Sequence, residues 1–114
     1  MPEITDAALV ASLRRQMTIA VAKQVAAAGN LANVDTPSYK AVEPTFADAL
    51  DGQLSADDVR MQEVAGLQPR LDGNTVQLDR ELLTMGRAAG DFSAAQTALA
   101  AKFRLIRYAI NEGK

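Results

Sequence analysis

The chain has 114 residues, 12 Lys plus Arg against 14 Asp plus Glu for a net charge of −2, and no cysteine, histidine or tryptophan. That length suits one small domain, and the missing side chains exclude zinc, haem and iron–sulfur ligation, a cysteine nucleophile, a Ser-His-Asp triad and disulfides. The charge balance lacks the basic face that nucleic acid requires, and no apolar run nears the ~20 residues of a membrane helix.

Charge divides the chain into thirds. Residues 1–33 hold three basic and two acidic side chains, 34–77 three and eight, and 78–114 six and four. In the first third, Leu9, Leu13, Met17, Ala20, Gln24, Ala27 and Leu31 recur at steps of three or four, which predicts a helix with Thr5 or Asp6 as its cap. Arg14-Arg15 reads as a solvated face or an intersubunit ion pair. The opening residues carry no apolar stretch of the kind a cleavable secretory signal has, so none is expected.

The middle third concentrates the turn formers Pro37, Pro44, Pro69, Gly52, Gly66 and Gly73. Thr45–Leu50 reads as one or two helical turns, Val59–Val64 as a strand, and Leu71–Val76 as apolar residues around an Asp-Gly-Asn turn, so a small hairpin or extended arm is expected there. The acidic group Asp57, Asp58 and Glu63 reads as a solvated loop, because no base or ligand set accompanies it.

The last third has the clearest pattern. Leu78, Leu82, Met85, Ala89, Phe92, Gln96, Leu99, Phe103, Ile106 and Ile110 alternate steps of four and three, an unbroken heptad seam. Asp79 is the expected cap with Glu81 in the first turn, and Gly113 the expected stop, giving a helix of about 32 residues and ~48 Å. Gly86, Ala89 and Gly90 form a small-residue patch, read either as a close helix approach or as a tolerated weakness. Gln24 and Gln96, one in each seam, either meet and fix register or face solvent or a neighbouring subunit. The expected architecture is mainly α: long helices over 1–33 and 78–114 forming an antiparallel coiled-coil hairpin around an irregular insert at 34–77, within one domain. Neither helix can bury its stripe alone, so pairing with each other and with further copies is expected.

Asn30-Leu31-Ala32-Asn33-Val34-Asp35-Thr36-Pro37-Ser38-Tyr39-Lys40 is physically a helix exit. Asn33 tolerates the left-handed region, Pro37 forbids further helix, and Tyr39 is an aromatic anchor after the turn. The segment resembles the signature near the N-terminus of bacterial flagellar rod and hook axial proteins, Asn-x-x-Asn followed by Thr-Pro-Gly-Tyr-Lys. Ser38 stands where that pattern has glycine, so the turn must either avoid a positive φ or absorb strain. Asp72-Gly73-Asn74-Thr75-Val76-Gln77-Leu78-Asp79-Arg80-Glu81-Leu82 resembles the segment opening the C-terminal helix in the same family. The tail from Ala101 to Gly113 resembles that of its proximal rod branch, with a sister rod protein the nearest alternative.

The resemblance implies a structural subunit that polymerises through its terminal helices into a tube transmitting torque and passing export substrates. It implies partners among other copies, other rod proteins, the ring–rod adaptor and the membrane ring, a periplasmic basal-body location, and export through the flagellar type III apparatus. The assembly seam would comprise Leu13, Met17, Leu31, Leu82, Met85, Phe92, Leu99, Phe103 and Ile106, with Asn30, Asn33, Thr36, Pro37 and Tyr39 as the turn motif. No catalytic residue, cofactor, metal or small-molecule substrate is expected. The heptads alone serve a cytosolic coiled-coil adaptor or export chaperone equally well. A rod subunit should be poorly ordered alone and gain helix on polymerising, whereas an adaptor should be a stable helical dimer. An enzyme would need a pocket of paired carboxylates, for which no setting is recognisable.

Overall fold

A computed structural model describes residues 5–46 and 58–112. Helix α1 spans Asp6–Ala32, strand β1 Val42–Thr45, strand β2 Arg60–Glu63 and helix α2 Leu78–Glu112. Thr5 caps α1, its Oγ1 accepting from the Ala8 N–H at 3.0 Å, and Asp6 follows in the first turn near the positive helix end. Helix α2 starts two residues earlier than a cap at Asp79 implies: Leu78 is already helical, so Asp79 lies inside the first turn and is not the cap. The expected stop at Gly113 lies outside the described residues.

The helices run antiparallel, pinned at three levels. Lys102 Nζ lies 2.5 Å from the Asp6 carboxylate, Gln16 Nε2 donates to the Asp91 carbonyl at 3.0 Å, and Asn30 Nδ2 donates to Glu81 Oε1 at 2.9 Å. The result is a rod of 68 × 25 × 24 Å. Its core is built from small side chains: Ala20, Ala22, Ala26 and Ala27 of α1, Ala41, Val76, and Ala88 and Ala95 of α2. Alanine lets two helix backbones approach closely while costing no side-chain entropy on burial.

Four of the ten α2 seam positions turn inward and six do not. Met85, Phe92, Leu99 and Ile106 are half-buried, but the fully buried positions that alternate with them are Glu81, Ala88 and Ala95. Each of these precedes by one residue the seam position expected there, so Leu82, Ala89 and Gln96 are exposed, as are Leu78, Phe103 and Ile110. A face of alanines on α1 selects alanines on α2, and the one-residue rotation leaves the larger residues outside. Gly86 and Gly90 are not part of the α1 contact either, since a Cβ added at each meets nothing within 4 Å. The two glutamines do not meet: Gln24 is half-buried at the level of Met85, about eleven residues or ~16 Å along α2 from the exposed Gln96.

The insert holds a two-stranded antiparallel sheet among the described residues, with Val42 opposite Glu63 and Thr45 opposite Arg60. The strand expected at 59–64 is therefore present as β2. Its partner is Val42–Thr45 and not the segment 71–76, and Thr45 is in a strand rather than a helical turn. Leu71–Val76 instead forms a hydrogen-bonded turn. Residues 47–50 of the expected helical turn, and Asp57, lie outside the described residues. Of the rest of that acidic group, Glu63 is exposed and Asp58 half-buried, and no cluster able to hold a metal ion occurs among the described residues. No helix is long and apolar enough to cross a membrane among those residues.

Candidate assembly site

The two sequence blocks singled out above, about forty residues apart in the chain, dock onto each other. The buried Asn74 donates both amide hydrogens, to the carbonyls of Asn33 and Thr36, each at 2.8 Å. Its own oxygen accepts from the Val76 N–H at 2.7 Å. The Ser38 N–H donates to the Asp72 carbonyl at 2.8 Å, and the Thr75 N–H to the Tyr39 carbonyl at 3.0 Å. The Ala41 N–H donates to Thr75 Oγ1 at 2.8 Å. Arg70 donates through one guanidinium nitrogen to the Val76 carbonyl at 2.6 Å and through the other to the Val34 carbonyl. Lys40 Nζ donates to the Gly73 carbonyl at 2.8 Å. A segment that leaves a helix carries backbone groups with no ladder partner, and here side chains and turns satisfy them.

Asn30 forms the centre of a second, deeper layer. Fully buried, it accepts from the Val42 N–H at 3.0 Å and donates to the Val42 carbonyl at 2.9 Å, so its amide pairs with β1 as a strand would. It also reaches Glu81 on α2, whose other oxygen lies 2.9 Å from Arg80, while Arg80 bridges to Glu43 at 3.2 Å. Tyr39 Oη donates to Asn30 Oδ1 at 3.4 Å. A buried carboxylate is tolerable only when paired and hydrogen-bonded, and Glu81 has both. One asparagine thus joins α1, β1 and α2.

Ser38 absorbs the strain: its φ is +63°. It packs over Gly73, whose φ is +83° and where a Cβ would lie 3.3 Å from Ser38 Cα and Oγ. Gly73→Ala should therefore lower stability by about 2 kcal/mol, from the left-handed backbone and the contact together. Thermal melts should show the loss, with Ser38→Gly in the same variant recovering only part of it because Ser38 Cα is backbone. Full stability in Gly73→Ala would contradict the docking of the two blocks.

Of the proposed turn motif, Asn30 is buried, Asn33 and Tyr39 half-buried, and Thr36 and Pro37 exposed. Asn33 donates to the Gly29 carbonyl at 2.9 Å and accepts from Thr36 Oγ1 at 3.0 Å, closing the helix exit. Of the proposed seam, Leu13, Met17, Leu31, Met85, Phe92, Leu99 and Ile106 are half-buried, whereas Leu82 and Phe103 face outward. The Arg pair also splits: Arg14 is exposed and Arg15 half-buried, with a buried Nε that has no hydrogen-bond partner. Glu81, Asn74, Arg70 and Thr75 were not among the expected site residues. Their polar character at the entry to an apolar helix was the available signal.

Beside the knot, Met17, Val21 and Val25 of α1, Phe92 of α2, and Val59 and Met61 around β2 enclose an open apolar groove of about 510 Å³. Val21, Val25 and Met61 are substantially exposed within it. The arrangement offers packing surfaces rather than a set of convergent acid–base groups. No protein-family model matches the chain, and no curated protein matches it.

Proposed function

We propose that the chain is a structural subunit of the bacterial flagellar rod, of the proximal, FlgB type, acting in the periplasmic basal body as part of the tubular drive shaft. The observation that carries this reading is the docking of the two blocks on which the resemblance rests. Asn74 bonds to Asn33 and Thr36, and Asn30 to Glu81, so residues recognised separately form one joint. The outward positions of the α2 seam support it as well, because Leu78, Leu82, Phe103 and Ile110 present a stripe that a lone hairpin leaves wet. Copies related by a contact that does not close a ring build a filament, and burial between them adds the stability a thin alanine core lacks. The same stripe would serve a coiled-coil adaptor or export chaperone, which differs in being a stable dimer alone.

Phe103→Asp tests the reading in a motile host lacking its own copy of this gene. Phe103 is 51% exposed, so the charge should leave the subunit made while blocking assembly with neighbouring subunits. Motility should fall to background, and basal bodies should lack the tagged subunit. Normal motility in the variant would overturn the seam, and failure of the parent chain to enter basal bodies would overturn the rod assignment.

A further inference from the structure

At the tip of the docked turn an aspartate precedes a glycine, Asp72-Gly73. Such a step has a spontaneous reaction open to it, because glycine has no side chain to shield its amide. The Gly73 nitrogen loses its proton and bonds to Asp72 Cγ, and that proton leaves with the carboxyl OH as water. Water then reopens the five-membered imide at either carbonyl. Opening at the side-chain carbonyl restores aspartate. Opening at the main-chain carbonyl gives isoaspartate, whose chain runs through Cβ and Cγ.

The fold withholds both reacting groups. The Gly73 N–H donates to the Arg70 carbonyl at 2.8 Å, and Asp72 Oδ1 accepts from the Asn74 N–H at 3.0 Å. Ring closure needs the first bond given up and the carboxyl group swung off the second. These bonds are fixed in turn by the docking. Arg70 is tied to the Val34 and Val76 carbonyls, and Asn74 to those of Asn33 and Thr36. The Asp72 carbonyl accepts from the Ser38 N–H at 2.8 Å, and the Gly73 carbonyl from Lys40 Nζ at 2.8 Å. Every one of these anchors outside the turn lies between Asn33 and Lys40, at the exit of α1. Asp72 itself is exposed, so water reaches it.

We propose that Asp72-Gly73 is an isomerisation site that docking keeps unreactive, so that time spent undocked is recorded in the backbone as isoaspartate. The record is one-way for the joint. In isoaspartate the carbonyl that accepts from Ser38 becomes a free carboxylate, and the side chain that held Asn74 becomes main chain. The chain also gains one carbon, at a site so closely fitted that a Cβ on Gly73 would lie 3.3 Å from Ser38. An isomerised chain therefore does not redock. The proposal uses the docked joint alone and stands apart from the rod assignment.

Purified chain is aged at neutral pH in buffer and, in parallel, in denaturing guanidinium chloride, then digested with trypsin. The step falls in the peptide 71–80, apart from the second Asp-Gly step, Asp51-Gly52, in 41–60. The isoaspartyl form of peptide 71–80 keeps its mass, separates by chromatography and accepts a methyl group from S-adenosylmethionine through an isoaspartyl methyltransferase. It should accumulate at least about tenfold faster in denaturant, since reaction in the native chain waits for local opening. In buffer, Asn74→Ala should bring the rate close to the denatured one. Arg70→Ala, at an exposed side chain, should raise it above the parent's while circular dichroism shows the helices retained, which separates undocking from global unfolding. Equal rates in the native and denatured parent, no isoaspartate at Asp72 in denaturant, or a rate unchanged in both variants would overturn the proposal. An isomerised chain that melts with the parent would overturn the one-way record.

Discussion

Asn30→Ala should cost about 3–5 kcal/mol, the largest loss expected from removing a single side chain. The asparagine makes four hydrogen bonds, two to the Val42 backbone, one to Glu81 and one from Tyr39. Truncation leaves the Glu81 oxygen and the Val42 amide without partners in a closed site, and buried groups without partners carry their full desolvation penalty. Glu81→Met should cost markedly less, because Asn30 keeps Val42 and Arg80 keeps Glu43. Unfolding followed at 222 nm, at concentrations where the parent chain is helical, ranks the two variants. The joint at Asn30 is rejected if they are equal, or if Glu81→Met is the worse.

Ala88→Phe should lower stability by about 3 kcal/mol, while Ala89→Phe, one residue on, should change it by less than about 0.5 kcal/mol. Ala88 is 1% exposed and faces α1, whereas Ala89 is exposed. A ring at position 88 forces the helices apart along an interface made of alanines, and a ring at 89 enters solvent. Paired denaturant titrations decide the register of α2, since a heptad seam through Ala89 requires the opposite order.

That contrast marks where the sequence was readable. The helices were legible because their apolar steps of three and four run for many turns and proline is confined to the middle and the second residue. The rotation of α2 was not. Met85, Phe92, Leu99 and Ile106 belong to either of two overlapping heptads, and hydrophobicity favours the one through Leu82 and Phe103. Packing chose the one through Glu81, Ala88 and Ala95, because only small residues or a satisfied carboxylate fit against alanines. Glu81 reads locally as a charge favoured by the helix N-terminus. Its partner, Asn30, is 51 residues away, beyond any local pattern. Pro44 read only as a turn former, yet at the edge of a two-stranded sheet its missing N–H is tolerated, and Val42–Thr45 is a strand. The Asn30–Lys40 block was legible as a helix exit, but its docking on Asn74, about forty residues on, was not, since no local pattern carries it.

The two ends of the rod are fastened by different chemistry. At the Asn30 end, buried amides and carbonyls carry the bonds, and ions in solution screen buried groups weakly. At the opposite end the described fastening is the Lys102–Asp6 pair, whose Asp6 side chain is 69% exposed and open to screening. The hairpin therefore behaves as a zip with one sewn end. Fraying starts at the Lys102–Asp6 tip and travels towards the sewn end, which keeps its fold longest. Rising salt loosens the tip first, while the joint that sets the helix pairing holds.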